Sequence, residues 1–427
     1  MIRLKRAHFL TAFLMGVLFP VFLGAAELPP YQKYTGAIKP GVVITKENFD
    51  TYLPELQKLL FPSQLKWISM GIKEGLVTMP IVKSTFPRIV TKNKMEATRK
   101  YAGTARVAAN NELLNWVAGI PFPDPKNAQE IAWNAYPTVN SSLSHDDTDF
   151  HSRFTLFKRA KYEKYFTWQI HAQNYRGRTD ILPLGDMPEF TDRGIIFRES
   201  LVIYEPNEVR GFIQVRARYW DLNKEDECYA YIPAIRRVRR LTGADVTDPL
   251  LGSDTIFDDF EMWRQKIDTK MTFRVLEQRD FLVIRSYTAM EQKPVHDYKK
   301  QGPCFQGEWE IRPHWVLEIM TNNPDYAYAK RILYVDALHL DQGGNYFPNC
   351  AEGYDQRGRL WRSMSGANNV ANKDGFTGFI FNLFPNCQTE HYTTLSGDSA
   401  YDDKNFAKSY PMDKGDLTIR GLLKRVR

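Results

Sequence analysis

Trp309-Glu310-Ile311-Arg312-Pro313-His314-Trp315-Val316-Leu317-Glu318-Ile319 alternates in chemistry along its whole length. Trp309, Ile311, Pro313, Trp315, Leu317 and Ile319 occupy the odd positions, while the even ones, counted from Glu308, include Glu310, Arg312, His314 and Glu318. Successive side chains of an extended chain point to opposite faces, so a period of two predicts a strand with one apolar and one polar face. Working outward, comparable strands are predicted over residues 196–204, 211–220, 228–232, 272–276, 281–287 and 329–338. Turns, not helices, separate them. That order predicts a mainly β protein with helices (α+β), built on one large antiparallel sheet. A long sheet twists and curls toward a half-barrel, so that one face becomes a trough.

A helical pattern precedes the strands. Phe49, Tyr52, Leu53, Leu56, Leu59 and Leu60 share one face of a helix, which Pro54 is expected to start or kink. A second short helix is predicted over 64–72, ending near Gly75. If the first helix covers the trough, Phe49, Leu53 and Leu56 face Trp309, Ile311, Trp315 and Leu317 across an apolar space suited to a hydrophobic ligand. The same aromatic residues are also ordinary core material, and both readings stay open at this point. The last forty residues, rich in Asp, Lys, Gly and Ser, read as irregular.

Arg3, Lys5 and Arg6 precede an uncharged, mostly apolar run from Phe9 to Leu23, and Gly24-Ala25-Ala26 offers small residues to a signal peptidase. Residues 1–26 therefore read as a signal peptide and 27–427 as a single domain with an irregular tail. Removing the leader lowers the formal charge from +7 to +4. So small a surplus on about 400 residues gives no case for nucleic-acid binding, which shows as a concentrated basic face. At 43% hydrophobic and 13% aromatic residues, the chain can bury a large core.

Three features are candidates for chemistry. Cys350 and Cys387 end two related phrases, Asn345-Tyr346-Phe347-Pro348-Asn349-Cys350 and Asn382-Leu383-Phe384-Pro385-Asn386-Cys387; if these form matching turns, the thiols form a disulfide. Arg236, Arg237, Arg239 and Arg240 surround Val238, and in a strand they occupy both faces. They suit either a structural network with Asp245, Asp248, Asp254, Asp258 and Asp259 or recognition of an anionic head group or partner. His145-Asp146-Asp147-x-Asp149-x-His151 has the ligand types for a divalent cation, but its spacing fits no established site and it reads as a solvated Asp-rich loop. No Gly-x-Ser-x-Gly, P-loop or dinucleotide fingerprint is present.

Gly119-Ile120-Pro121-Phe122-Pro123, Trp133-Asn134, the run from Tyr231 to Arg240, Asp258-Asp259, Arg312-Pro313-x-Trp315-Val316-x-Glu318 and Tyr354-Asp355-x-x-Gly358-x-Leu360-Trp361-Arg362 occur in that order. Together they resemble the secreted Gram-negative family called domain of unknown function 1329, itself similar to the outer-membrane lipoprotein-sorting carriers of the Lol system. The resemblance runs from about residue 40 to 365. It implies a half-barrel closed by helices, a cavity for acyl chains, and a partner among exporters of the resistance-nodulation-division (RND) type. It brings no catalytic residues, and the loops bearing Cys304 and Cys350 and the Cys-bearing tail depart from it. The expected function is a periplasmic, non-catalytic carrier of lipids or other hydrophobic molecules, needing no cofactor and in peripheral contact with a membrane. A hydrolase or metal-dependent enzyme using the His145 to His151 segment, and a docking protein with a filled trough, are the alternatives.

Overall fold

The computed structural model describes residues 27–84, 90–140, 146–159, 161–242, 247–285, 307–367, 370–371, 377–378, 381–396 and 414–426. The expected leader, His145 and Cys304 lie outside the described residues. Fourteen strands form one sheet. In chain order they are β1 (Tyr31–Gln32), β2 (Asp147–Lys158), β3 (Lys161–Asn174), β4 (Ile195–Glu205), β5 (Ile213–Tyr219), β6 (Glu227–Ile232) and β7 (Arg237–Leu241). They continue as β8 (Thr272–Ile284), β9 (Trp309–Met320), β10 (Lys330–Asp336), β11 (Pro348–Tyr354), β12 (Leu360–Ala367), β13 (Phe381–Pro385) and β14 (His391–Ser396).

The spatial order is β1-β8-β9-β10-β11-β12-β13-β14-β2-β3-β4-β5-β6-β7. Two antiparallel meanders, β2 to β7 and β8 to β14, are thus joined where β14 pairs with β2. β1 lies parallel to β8. The sheet is open, as a half-barrel requires. The two segments expected at 272–276 and 281–287 are one strand, interrupted by a register shift between Val275 and Glu277 that the alternation could not bridge.

Register assigns the faces. Trp315, Leu317, Leu333, Ala351 and Met364 follow one another across β9 to β12 on one face, which continues to Phe154, Trp168, Leu201 and Arg216. The segment from Phe257 to Trp263, coiled into 3-10 turns, touches this face from end to end. Asp258 reaches Arg216 on β5, Phe260 stacks on Phe154 and meets Trp168 edge-on, Met262 N–H donates to Met364 Sδ, Asp259 meets Arg331 on β10, and Trp263 meets Phe273 on β8. From β8 to β5 a flat sheet of ten interstrand steps would measure roughly 48 Å. Seven residues span at most ~25 Å even when extended. The sheet therefore curls around this segment, and this face is the concave one.

Helix α1 (Phe49–Leu59) and helix α2 (Pro62–Lys73) form where the periodicity predicted them, with Gly75 in the left-handed conformation just beyond α2. Pro54 lies inside α1 and does not start it. Their position differs from the expectation. Phe61, at the α1–α2 junction, packs on Phe281 and Tyr334, and Trp67 packs on Tyr392, all on the convex face. The α1–α2 junction and Trp67 therefore lie against the back of the sheet, while Phe49, Leu56 and Leu59 of α1 share the buried cluster of the concave wall. On the concave side lie α4 (Ala128–Ala135), against β8 and β9, and the 257–263 segment; α3 (Lys92–Lys100) precedes them. The tail is not wholly irregular: it contributes β14 and α5 (Ile419–Val426), whose Leu422 packs on Val202 and Ile213.

Candidate functional site

Among the described residues, the concave face is covered by the chain's own buried side chains. Trp309, Trp315 and Leu317 are buried in one continuous apolar cluster with Phe49 and Leu56, and Ile311 and Leu53 pack against it partly buried. Burial thus unites all seven expected residues in one core, although the α1–α2 junction stands behind the sheet. Trp315 meets Tyr346, α4 lies against β8 and β9, and further along this face lies the segment 250–267. It carries Phe257, Phe260, Met262, Trp263 and Ile267, all buried. Composition alone gave no signal for this plug, because it has no helical or strand periodicity.

Ion pairs pin the plug. Asp259 accepts from Arg331 at 2.9 Å, from Tyr328 at 2.9 Å and from the backbone of Ile256 at 3.0 Å. Asp258 binds Arg216 at 3.1 Å and Tyr326 at 2.8 Å. Arg264 reaches Glu199 at 2.5 Å, and Glu199 also accepts from Arg216 at 2.6 Å. Burial pushes the phenols of Tyr326 and Tyr328 upward, with the adjacent Asp258 and Asp259 adding to the shift. The backbone is strained as well: Leu251, Glu261 and Met262 have φ of 49°, 53° and 71°, a region that side chains other than glycine disfavour by on the order of 1 kcal/mol or more each.

Two buried tryptophans of this interior, Trp116 and Trp133, donate to Gly119 O and Asn111 O. The indole N–H groups of Trp168, Trp309 and Trp315 on the concave wall, of Trp263 on the plug and of Trp67 behind the sheet are buried without an acceptor among the described residues. An unpaired buried donor costs about 1–3 kcal/mol. Trp168 meets Phe260 of the plug and Trp263 lies on it, whereas Trp309 pairs with Ile81 and Trp315 meets Tyr346 further along β9.

The base of the plug is tied to a titratable group. His391 Nδ1 lies 2.5 Å from Asp254 Oδ2, and its Nε2 lies 3.0 Å from Glu163 Oε2. The hydrogen bond to Asp254 is the main cause that raises the imidazole pKa above its usual value. A raised folded-state pKa stabilises the fold fully below about pH 6.5, and that contribution is lost as pH rises through the raised value. Wild type should therefore melt above His391→Gln by a wider margin at pH 5.5 than at pH 9, and thermal melts at the two values check this.

Other expectations are corrected. Asp258 and Asp259 are partners of Arg216 and Arg331, not of the arginine run, and Asp254 belongs to His391. Arg236 to Arg240 are exposed at the sheet's edge strand, with no ion-pair partner among the described residues. Edge exposure explains this, since only β6 pairs with β7. Asp146 and Asp147 are not solvated. Asp146 accepts from the backbone of Thr179, Asp180 and Ile181, and Asp147 forms a bidentate pair with the buried Arg178. His151 is exposed on β2.

The Cys350–Cys387 disulfide is absent, and both thiols are free. The two phrases play opposite parts: the first opens β11 at Pro348, the second closes β13 at Pro385. Cys350 consequently lies inside a strand, 3.8 Å from Ser63 Oγ on the convex side, whereas Cys387 sits in the turn before β14. Burial raises both thiols, Cys387 to about 12, so neither is a thiolate at neutral pH.

Comparison with known proteins adds the following. The sequence pattern described as Protein of unknown function (DUF1329) matches residues 43–418. The uncharacterized protein PA3922 of Pseudomonas aeruginosa is 22% identical over 354 residues, covering 76% of this chain and 68% of that protein. Among solved structures, a putative outer membrane lipoprotein-sorting protein domain from Vibrio parahaemolyticus is 18% identical, with a TM-score of 0.44 over 65% of this chain and 91% of that one. The LolA superfamily protein NE2245 from Nitrosomonas europaea is 15% identical, with a TM-score of 0.41 over 68% of this chain and 97% of that one.

Proposed function

The chain belongs to the family of proteins of unknown function DUF1329, and from that premise we propose that it is a non-catalytic carrier whose concave trough takes a lipid or another elongated apolar molecule when the 250–267 plug is displaced. The observation that supports this reading is the pair of indole donors at the plug that lack an acceptor among the described residues, Trp263 on it and Trp168 against Phe260. An amphiphile with ester, amide or carboxyl oxygens places acceptors among them and keeps its chain against Leu317, Leu333 and Phe154. Replacing plug contacts by ligand contacts conserves apolar burial, at roughly 25 cal/mol per Å² on either side of the exchange. Strain released from Leu251, Glu261 and Met262 favours the exchange.

This reading includes export to the periplasm through cleavage after residue 26, work beside the outer membrane, and an RND-type exporter as partner. Among the described residues no helix is long and apolar enough to cross a membrane. The exposed edge strand β7 is the proposed contact for an anionic head group or partner. Its three arginines, with Arg236 just before the strand, stand beside exposed Ile235 and Val238. Arg237→Glu with Arg239→Glu should abolish cosedimentation with anionic vesicles at low salt while changing stability by less than about 0.5 kcal/mol per site, because both side chains are exposed.

Displacement of a fluorescent fatty acid by oleate tests the carrier. Saturable displacement by wild type, unaffected by His151→Ala, is expected. The burial of the described concave-face side chains in one apolar cluster favours a second reading, a docking protein whose interior never opens, and absence of displaceable binding would support it.

A further inference from the structure

The two edges of the sheet are built differently. At one edge β1 is only two residues long, and its Tyr31 hydroxyl donates to Asp280 at 2.7 Å, so that edge is blunted. At the other, β7 pairs with β6 alone. It contains no proline, and its register with β6 runs without a shift. Alternate residues of such a strand turn their N–H and C=O groups outward, where no described strand meets them.

The side chains of this edge are bare as well. Register puts Arg237 and Arg239 on the concave side with Ile232 and Ala230, and Val238 and Arg240 on the convex side with Tyr231 and Tyr229. Arg237 to Arg240 are all exposed, Val238 at 51%, and Tyr229 beside them at 36%. Charge on an edge strand also guards against chance pairing, but that role alone does not account for the bare Val238 and Tyr229. Charge decides what fits here. A second copy paired antiparallel through β7 would set arginine opposite arginine, and like charges directly opposite are destabilising. A bilayer approached by one face of the sheet meets either Arg237 and Arg239 or Arg240, and it leaves the edge amides unpaired. An added strand meets both faces and the amides together. We infer that β7 is an interaction edge that takes an extended acidic segment of another protein as an additional strand. Carboxylates of that segment lie opposite the arginines and an apolar residue lies opposite Val238. This rests on the reading of β7 as a recognition edge and gives the partner's chemistry.

Fluorescence anisotropy of a labelled peptide alternating glutamate and valine, titrated with the full-length protein at low salt, tests this. Wild type should bind it saturably. The same peptide with every amide N-methylated should bind at least about tenfold more weakly, because it keeps the charge and loses the main-chain donors. Arg237→Gln with Arg239→Gln should weaken binding by about fivefold or more without moving the melting temperature, since both side chains are exposed. Val238→Glu, on the other face, is a second variant and should also weaken binding, because it sets a negative charge beside the peptide's own. No saturable binding below about 1 mM overturns the inference. So does equal binding of the N-methylated peptide, which marks an ionic surface without strand pairing, and so does wild-type affinity in both variants. Binding of phosphatidylglycerol vesicles but not of the peptide assigns the edge to lipid, which overturns the inference and leaves the recognition reading standing. Failure of both probes removes that reading too. A dimer in sedimentation velocity that is lost in Arg237→Gln with Arg239→Gln assigns the edge to a second copy and likewise overturns the inference.

Discussion

Asp259→Asn should destabilise the protein by about 3–5 kcal/mol, because it leaves the Arg331 guanidinium buried without its counter-charge. Arg331 is 2% exposed, and its Nη1 has Asp259 Oδ1 as its closest acceptor, at 2.9 Å. Asparagine keeps one oxygen for the Tyr328 hydroxyl or the Ile256 N–H, so the loss is mainly electrostatic. Urea unfolding reads the effect as a lower midpoint. Removing both charges, as in Asp259→Leu with Arg331→Met, should recover most of the loss, since a buried ion pair replaced by apolar side chains is often neutral. A single variant within about 0.5 kcal/mol of wild type would show that the plug is not pinned by this pair.

Trp315→Asp is expected to have the other large effect. It places a carboxylate at a position 6% exposed, in an apolar cluster and against Tyr346 at 5.7 Å. Fatty-acid displacement should vanish and the melt should broaden or fall sharply. Trp315→Leu separates binding from folding less cleanly than a half-exposed trough residue would. The side chain fills core, so its truncation leaves a cavity and should cost about 2–4 kcal/mol. Trp315→Phe is the better probe. It retains most of the packing, removes one orphan N–H, and should bind oleate more weakly while melting close to wild type.

The strand around Trp315 was legible in the sequence because each face of β9 meets one environment throughout, so alternation survives from Trp309 to Ile319. The faces of α1 and α2 were legible for the same reason at a different period. Which side of the sheet those helices cover was not legible. Apolar periodicity states that a face is buried and is silent about its partner, and Phe61, which fixes the answer through Phe281 and Tyr334, lies between the two helices. The plug escaped because its order comes from long-range ion pairs. Asp259 and Arg331 are separated by 72 residues, and Glu199 and Arg264 by 65. The Asp258-Asp259 pair was visible as a motif, but its partners were sought in the nearby arginine run, which β7 holds at the open edge. The repeated Asn-x-Phe-Pro-Asn-Cys phrase misled because identical turn residues open one strand and close another.

The central claim is that a ligand enters the trough by displacing the plug. Hydrogen exchange of the full-length protein, with and without saturating oleate, tests it most directly. The account predicts faster exchange of the amides in 254–264 when oleate is bound, including Arg264 N–H, which donates to Asp258 O at 2.8 Å, while the β9 and β10 amides keep their protection. Unchanged protection of 254–264 at an oleate concentration that saturates the protein would contradict it.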